Sequence, residues 1–259
     1  MGDQIVRYNF NNNISYGLLV SGDIVHPLID GPFDEFKTTG DKINLCDVTL
    51  LTPIKVSTIF ALGLNYASHV KESKYDFPEI PMLFMKPVTS VIGPGEAIIY
   101  PKEGEIVHHE AEVCTIIGKK GRYISEEKAL DFVLGYTCGN DVSERKIQRA
   151  EMAQHALLVG KGFDTFTPLG PVIDTDLDAN NIDIIARVNG KERQRSNTSD
   201  LIFSVAQIVS YISQSITLMP GDVIMTGTPS GVGPILPGDI VEIEMSGAGV
   251  LSNPVVAAG

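Results

Sequence analysis

The stretch His108-His109-Glu110-Ala111-Glu112-Val113-Cys114 sets two carboxylates one alanine apart. Upstream lies Ile98-Ile99-Tyr100-Pro101 and downstream Thr115-Ile116-Ile117-Gly118, extended apolar chain closed by Pro and Gly. The pair is therefore predicted to sit on a strand. Strand side chains alternate faces, so Glu110 and Glu112 point the same way, roughly 7 Å apart at the backbone, with Ala111 and Val113 on the other face. Two like charges on one surface need water or a divalent cation between them. Hard oxygen ligands of this kind suit Mg²⁺, Mn²⁺ or Ca²⁺ better than Zn²⁺. Taken alone, a Glu-x-Glu is more often a solvated strand face than a metal site, so the rest of the chain has to decide.

The 259 residues suffice for one large domain or one with a small appendage. A hydrophobic content of 43% and a charged content of 20% are those of a folded soluble protein. The formal charge of −12 and pI near 4.8 argue against nucleic acid or an anionic membrane surface as partner, because both require a basic face. An anionic substrate would then need local cations. No run of roughly eighteen apolar residues occurs, and Met1-Gly2-Asp3-Gln4 does not open a signal segment, which predicts a cytoplasmic protein. Cys46, Cys114 and Cys138 are widely spaced without a C-x-x-C pattern and read as buried thiols rather than a disulfide framework.

Residues 1–57 read as a small β-rich N-terminal module, with Ser21-Gly22-Asp23 as a hairpin turn between two apolar runs and no predicted site. The apolar strand Val56–Gly63 then runs into Leu64-Asn65-Tyr66-Ala67-Ser68-His69-Val70-Lys71-Glu72, which resembles a short helix. His69 and Glu72 would be neighbours at i and i+3. A carboxylate beside an imidazole raises its basicity and fixes its tautomer, as a water-activating base requires; a surface histidine with a chance neighbour has the same pattern. Ser73 to Pro81 is polar and proline-punctuated, a lid in prospect. Lys86, inside the apolar Leu83–Pro87, is an edge residue or part of an anionic pocket.

Ser125-Glu126-Glu127 opens a helix whose apolar stripe runs through Ala129, Leu130, Phe132, Val133 and Leu134 to Gly135. Tyr136–Asp141 is a strand ending on an acid, and Val142–Arg149 reads as a helix for which Asp141 is either cap or site residue. Arg145 and Gln148 would project from it together. Lys161, between two glycines in apolar surroundings, is a loop residue or a desolvated cation. Residues 182–188 form a strand, Asn189-Gly190 a tight hairpin turn, and about 201–213 a helix with Ile202, Val205, Ile208, Val209 and Ile212 at core spacing. The loop Thr226-Gly227-Thr228-Pro229-Ser230-Gly231 offers N–H and hydroxyl groups to an anion without the lysine of a nucleotide-binding loop.

Together these pieces are far more specific than any one. Gly63-Leu64-Asn65-Tyr66-x-x-His69-x-x-Glu72, His109-Glu110-x-Glu112, Asn140-Asp141-Val142-Ser143-x-Arg145, Lys161-Gly162-Phe163-Asp164-Thr165-Phe166 and Gly221-Asp222-Val223-Ile224-Met225-Thr226-Gly227-Thr228-Pro229 closely resemble the fumarylacetoacetate hydrolase family in order and spacing. The resemblance implies an α+β, predominantly β fold: a mixed β-sandwich roll with peripheral helices, formed by residues 58–259 behind the N-terminal module and usually a homodimer. It implies Mg²⁺ or Mn²⁺, with Ca²⁺ also compatible, on Glu110, Glu112 and Asp141, a His69–Glu72 dyad and Lys161 as enolate stabiliser. Arg145, Gln148 and Thr228 fall where other members contact substrate, and Lys86 is a further candidate.

These residues can support cleavage of a carbon–carbon bond in a small 2-oxo or 1,3-diketo acid of the acylpyruvate or fumarylpyruvate type. Three carboxylates and one divalent ion leave a local charge of about −1, which Lys161 and Arg145 would reverse for an anionic substrate. In the hydrolase version His69 deprotonates water. The alternatives are oxaloacetate decarboxylation, isomerisation of a 2-hydroxyhepta-2,4-diene-1,7-dioate, or a catalytically inert ligand-binding protein.

Overall fold

Short turns with left-handed residues decide where the chain folds back. In the computed structural model, which describes residues 3–73 and 76–259, Asn11 and Asn12 take φ of 50° and 65° and join β1 (Gln4–Phe10) to β2 (Asn13–Val20). Asparagine tolerates that region better than most residues. Ser21 and Gly22 do the same before β3 (Ile24–Pro27), the hairpin expected from the sequence. Downstream come β4 (Ile59–Gly63), α1 (Ala67–Ser73), β5 (Met82–Lys86), β6 (Val107–His109), β7 (Ala111–Ile117) and β8 (Val133–Asn140). Helix α2 (Arg145–Met152) and the single turn α3 (Val159–Gly162) precede β9 (Thr167–Asp174), β10 (Asp183–Val188) and β11 (Lys191–Asn197). Helix α4 (Val205–Ser213) leads to β12 (Val223–Met225), β13 (Ile240–Met245) and β14 (Gly249–Ala257).

A 12-stranded sheet runs Ile43–Asn44, β3, β2, β1, β9, β8, β7, β12, β4, β5, with Thr49–Leu50 beside β1 and Val91–Ile92 beside β9. Strands β12 and β4 pair in parallel and most other neighbours antiparallel, so the sheet is mixed. A 5-stranded sheet of β11, β10, β13, β14 and Ile98–Tyr100 packs β13 and β14 over β8 and β9. Their facing residues Cys138, Val172, Ile184, Ile243 and Leu251 join one buried cluster. The protein is thus mostly β with few, peripheral helices, as its sequence suggested. The N-terminal strands prolong the large sheet, since Gln4 and Ile5 of β1 pair with Asp174 and Ile173 of β9.

Two helices are shorter than periodicity predicts and α2 is displaced by three residues. After a 3-10 segment, Glu126–Phe132, Val133 and Leu134 belong to β8 because Val133 pairs with Ile117. Residues 201–203 stay outside the helix because their backbone is bound by the segment after β4: Ile202 N–H donates to Asn65 O (2.8 Å) and Phe203 N–H to Asn65 Oδ1 (2.8 Å). Helix α4 therefore starts at Val205, where Ser204 and Gln207 form a capping box. Helix α2 starts at Arg145 because Glu144 accepts from Ile147 N–H (2.6 Å). Asp141 is not a cap. Of the cysteines, Cys114 and Cys138 are buried, whereas Cys46 is exposed, correcting the expectation for that thiol. Among the described residues no helix is long and apolar enough to cross a membrane. The expected lid, Ser73 to Pro81, includes residues 74 and 75, outside the described residues; 76–81 contain no regular element.

Gly135 is a close approach of β8 to β9, where an added Cβ would lie 2.3 Å from the Asp174 carbonyl oxygen. Gly135→Ala is expected to destabilise the protein by about 1–3 kcal/mol through this overpacking. Urea unfolding should show a lower midpoint at unchanged slope; an unchanged midpoint would contradict this packing.

Candidate metal centre

At Glu110 the chain changes sheets. Strand β6 pairs with Ser143–Glu144 and Gly233–Pro234 in a small 3-stranded sheet, whereas β7 enters the large one. Residue 110 belongs to neither strand, which corrects the expectation of one continuous strand. Its N–H donates to Asn140 Oδ1 (3.0 Å) and its carbonyl accepts from Asp141 N–H (2.9 Å). This anchors Glu110 at the end of β8, while the register brings Glu112 opposite Gly139. Acids far apart in sequence thereby converge: oxygens of Glu110, Glu112 and Asp141 lie within 4.8 Å of one another, all three residues buried.

Three cations answer them. Lys161 Nζ donates to Glu110 Oε2 (2.7 Å) and Asp141 Oδ2 (2.5 Å). Gly160 lets α3 come this close, because a Cβ there would meet Gln148 N at 2.5 Å. Lys86 pairs with Asp141 and donates to Phe166 O (2.9 Å). Like Asp141 and Glu112, it is buried and lies beside Glu110 and Lys161 rather than among the residues that line the adjoining cavity. Arg145 Nη2 is 2.5 Å from Glu110 Oε1 as an ion pair, and its Nη1 donates to Gln148 Oε1 (2.8 Å).

The cations are shared unevenly. Burial would raise the Glu110 carboxyl, but Arg145 and Lys161 hold it well below the usual carboxylate range. Burial, Asp141 and Glu110 together push the Glu112 carboxyl well above it. Glu112 Oε2 accepts only from Gly227 N–H (2.7 Å), and its buried Oε1 has no partner. An orphaned oxygen among three converging carboxylates fits a hard divalent cation. Burial works against the Lys161 ammonium, yet Asp141 and Glu110 keep it above its ordinary value, whereas burial pulls Lys86 below.

A cavity of about 290 Å³ opens onto this cluster, lined by His69, Glu110, Arg145, Gln148, Lys161 and Thr228 among others. His69 Nδ1 is 3.5 Å from Glu72 Oε2, an ion-pair distance without hydrogen-bond alignment. Asp200 holds the start of α1 by accepting from Ser68 N–H (3.1 Å) and Oγ (2.6 Å), and Glu72 accepts from Gly231 N–H (3.2 Å). His108 and His109 are pushed down to about 4, both chiefly by burial, so neither adds charge at neutral pH. The Gly- and hydroxyl-rich loop does bind anions, and they are the protein's own Glu112 and Glu72. The structure thus gathers nine of the ten sequence-derived candidates around the cavity or its acid cluster, with Glu72 at its edge. Sequence reasoning missed Asp200, which positions α1, and Gln194, buried at 1% exposure. Gln194 lies in Lys191-Glu192-Arg193-Gln194-Arg195, where a polar strand gives no signal of burial.

The profile described as fumarylacetoacetate (FAA) hydrolase C-terminal matches residues 58–256. The chain belongs to the fumarylacetoacetate hydrolase family. A second profile of the type Rv2993c-like, N-terminal, matches residues 4–53. Among family relatives, an uncharacterized protein of Archaeoglobus fulgidus is 46% identical over 88% of this chain and 89% of its own. Oxaloacetate tautomerase fahd2, mitochondrial, of Xenopus laevis is 42% identical over 81% of this chain and 69% of its own. The solved 5-carboxymethyl-2-hydroxymuconate delta-isomerase of Mycobacterium smegmatis superposes with a TM-score of 0.91 at 42% identity, covering 98% of this chain and 100% of that one.

Burial and the neighbouring Asp141 and Glu110 favour the protonated form of the Glu112 carboxyl without a metal, and a ligating carboxylate must give that proton up. Mn²⁺ binding is therefore expected to release a proton and to tighten as pH rises. Titration calorimetry in buffers of different ionisation enthalpy reads this, and a buffer-independent heat would rule it out.

Proposed function

We propose that this protein is a divalent-metal-dependent enzyme that interconverts keto and enol forms of a small dianionic 2-oxo acid. The observation that carries this reading is the charge balance of the buried cluster at the cavity floor: three carboxylates face Lys86, Lys161 and Arg145. A divalent ion would leave an excess of about two positive charges, which a dianion balances. Oxaloacetate, named in one relative's activity, is such a dianion.

Glu110, Glu112 and Asp141 would hold Mg²⁺ or Mn²⁺, or Ca²⁺ from the same oxygen set. The ion supplies Lewis-acid polarisation of the 2-oxo group. Lys161, whose ammonium is held charged by its two acids, stabilises the enolate oxygen. Arg145, with Gln148 fixed beside it, orients a carboxylate of the substrate. His69 removes and returns the proton at the carbon next to the carbonyl, with Glu72 Oε2 3.5 Å from its Nδ1.

The same dyad favours a second reading. If His69 instead deprotonates water, the residues perform hydrolysis of an acylpyruvate or fumarylpyruvate, and the same stabilisation of an enolate serves decarboxylation of oxaloacetate. Exposed Ile99, Leu158 and Val159 border a groove that a second copy would cover in the expected homodimer.

With Mg²⁺ or Mn²⁺ present, the protein is expected to accelerate hydrogen exchange at the methylene of oxaloacetate in D₂O, read by NMR, without loss of mass. Pyruvate release from acylpyruvates would favour the hydrolase, carbon dioxide release the decarboxylase, and silence across the panel with metal bound an inert protein. Glu112→Gln is the sharpest ligand variant, because Glu112 has no cationic partner to leave unpaired. We expect it to fold as stably as the wild type without metal and to lose about three orders of magnitude in kcat/KM, some 4 kcal/mol. Wild-type turnover would refute the ligand assignment.

A further inference from the structure

Gln194 makes four hydrogen bonds from a fully enclosed position. Its Oε1 accepts from Ala111 N–H (2.9 Å), the peptide between Glu110 and Glu112, and lies 3.1 Å from His109 Nδ1. Its Nε2 donates to Pro229 O (2.8 Å) and Thr228 Oγ1 (2.8 Å). Two of these partners are backbone groups with only one possible role. Ala111 N–H can only donate and Pro229 O can only accept, so the amide cannot sit flipped. The other two polarities follow. His109 must carry its proton on Nδ1, and Thr228 Oγ must act as an acceptor toward Gln194.

A threonine hydroxyl has one proton. With its oxygen engaged by Gln194, that proton is free, and among the described residues no protein acceptor takes it. Thr228 also lines the cavity. We propose that Gln194 is a positioning residue that makes Thr228 an obligate hydrogen-bond donor to an oxygen of the bound substrate. One amide therefore ties the peptide between two candidate metal ligands to the polarity of the opposite wall. The inference rests on reading the cavity as the substrate site.

Gln194→Glu tests it. The oxygen facing Ala111 and His109 is retained, but the group facing Thr228 becomes an acceptor, and the threonine proton turns away from the cavity. Thr228→Val removes the same proton directly. Each variant should raise KM for oxaloacetate, or for whichever 2-oxo acid the panel identifies, about tenfold with a smaller change in kcat, the size of one lost hydrogen bond. The double variant should lose about tenfold and not a hundredfold, because both changes remove one interaction. A hundredfold product, or a wild-type KM in Gln194→Glu, overturns the proposal; a merely structural role would not couple to Thr228 in this way.

Should Gln194→Glu fail to fold, a neutron structure of the deuterium-exchanged wild-type protein decides the same point. It should show both Gln194 amide deuterons directed at Thr228 and Pro229, and the Thr228 deuteron directed into the cavity. A Thr228 deuteron aimed at Gln194 overturns the proposal. This reading is independent of which substrate the enzyme uses, so it separates failure here from failure of the functional assignment.

Discussion

Three carboxylates buried within 4.8 Å of one another repel too strongly to remain ionised in an apolar interior unless cations join them. The fold brings those cations from separate places: Lys86 from β5, Arg145 from the first turn of α2 and Lys161 from α3. Each must be threaded toward the end of β8, so the site acts as a constraint on how the sheet edge and both helical segments pack. Breaking a pair of this kind leaves an uncompensated buried charge, costing about 3–5 kcal/mol. The acids that could hold an ion are, without one, a knot of salt bridges.

The knot is unbalanced, and the imbalance carries the chemistry. Glu110 and Asp141 each meet two cations, whereas Glu112 meets a single backbone N–H and keeps one oxygen unpartnered. That is the oxygen a divalent ion would satisfy. Arginine and lysine already placed on the other two acids then become surplus charge directed at the cavity. With all three acids ionised, gain of one divalent ion would convert a neutral cluster into one suited to a dianion.

Much of this was legible in the sequence, and the exceptions share a cause. Glu110, Glu112 and Asp141 stood out because charged residues interrupt apolar strands, and His69 with Glu72 because of helical spacing. The sheet switch at Glu110 was not legible: the alternating pattern continues through residue 110, and a side chain thirty positions away, Asn140, breaks the ladder there. The same holds for α4, whose start is delayed because Asn65 occupies the backbone of residues 202 and 203. Lys86 was legible as needing a partner, but not that the partner would be Asp141. In each case a long-range polar contact overrides a local pattern, and one-dimensional reasoning has no access to such contacts.

Gln194 is the extreme instance. On a strand whose neighbours are charged and exposed, a glutamine looks like surface. Burial turns its amide from a solvated group into a fixed set of donors and acceptors, because each unsatisfied atom there would cost about 1–3 kcal/mol. Backbone groups at Ala111 and Pro229 then dictate its orientation, and the orientation dictates which way Thr228 can bond. Hydrogen-bond polarity thus passes from main chain to amide to hydroxyl without any charge moving, alongside an ionic cluster whose balance is set by Coulomb attraction. A 2-oxo dianion in its keto or enolate form presents only acceptors, so a wall whose hydroxyl donates, as proposed for Thr228, and whose cations exceed its acids once an ion is bound would complement it in both respects.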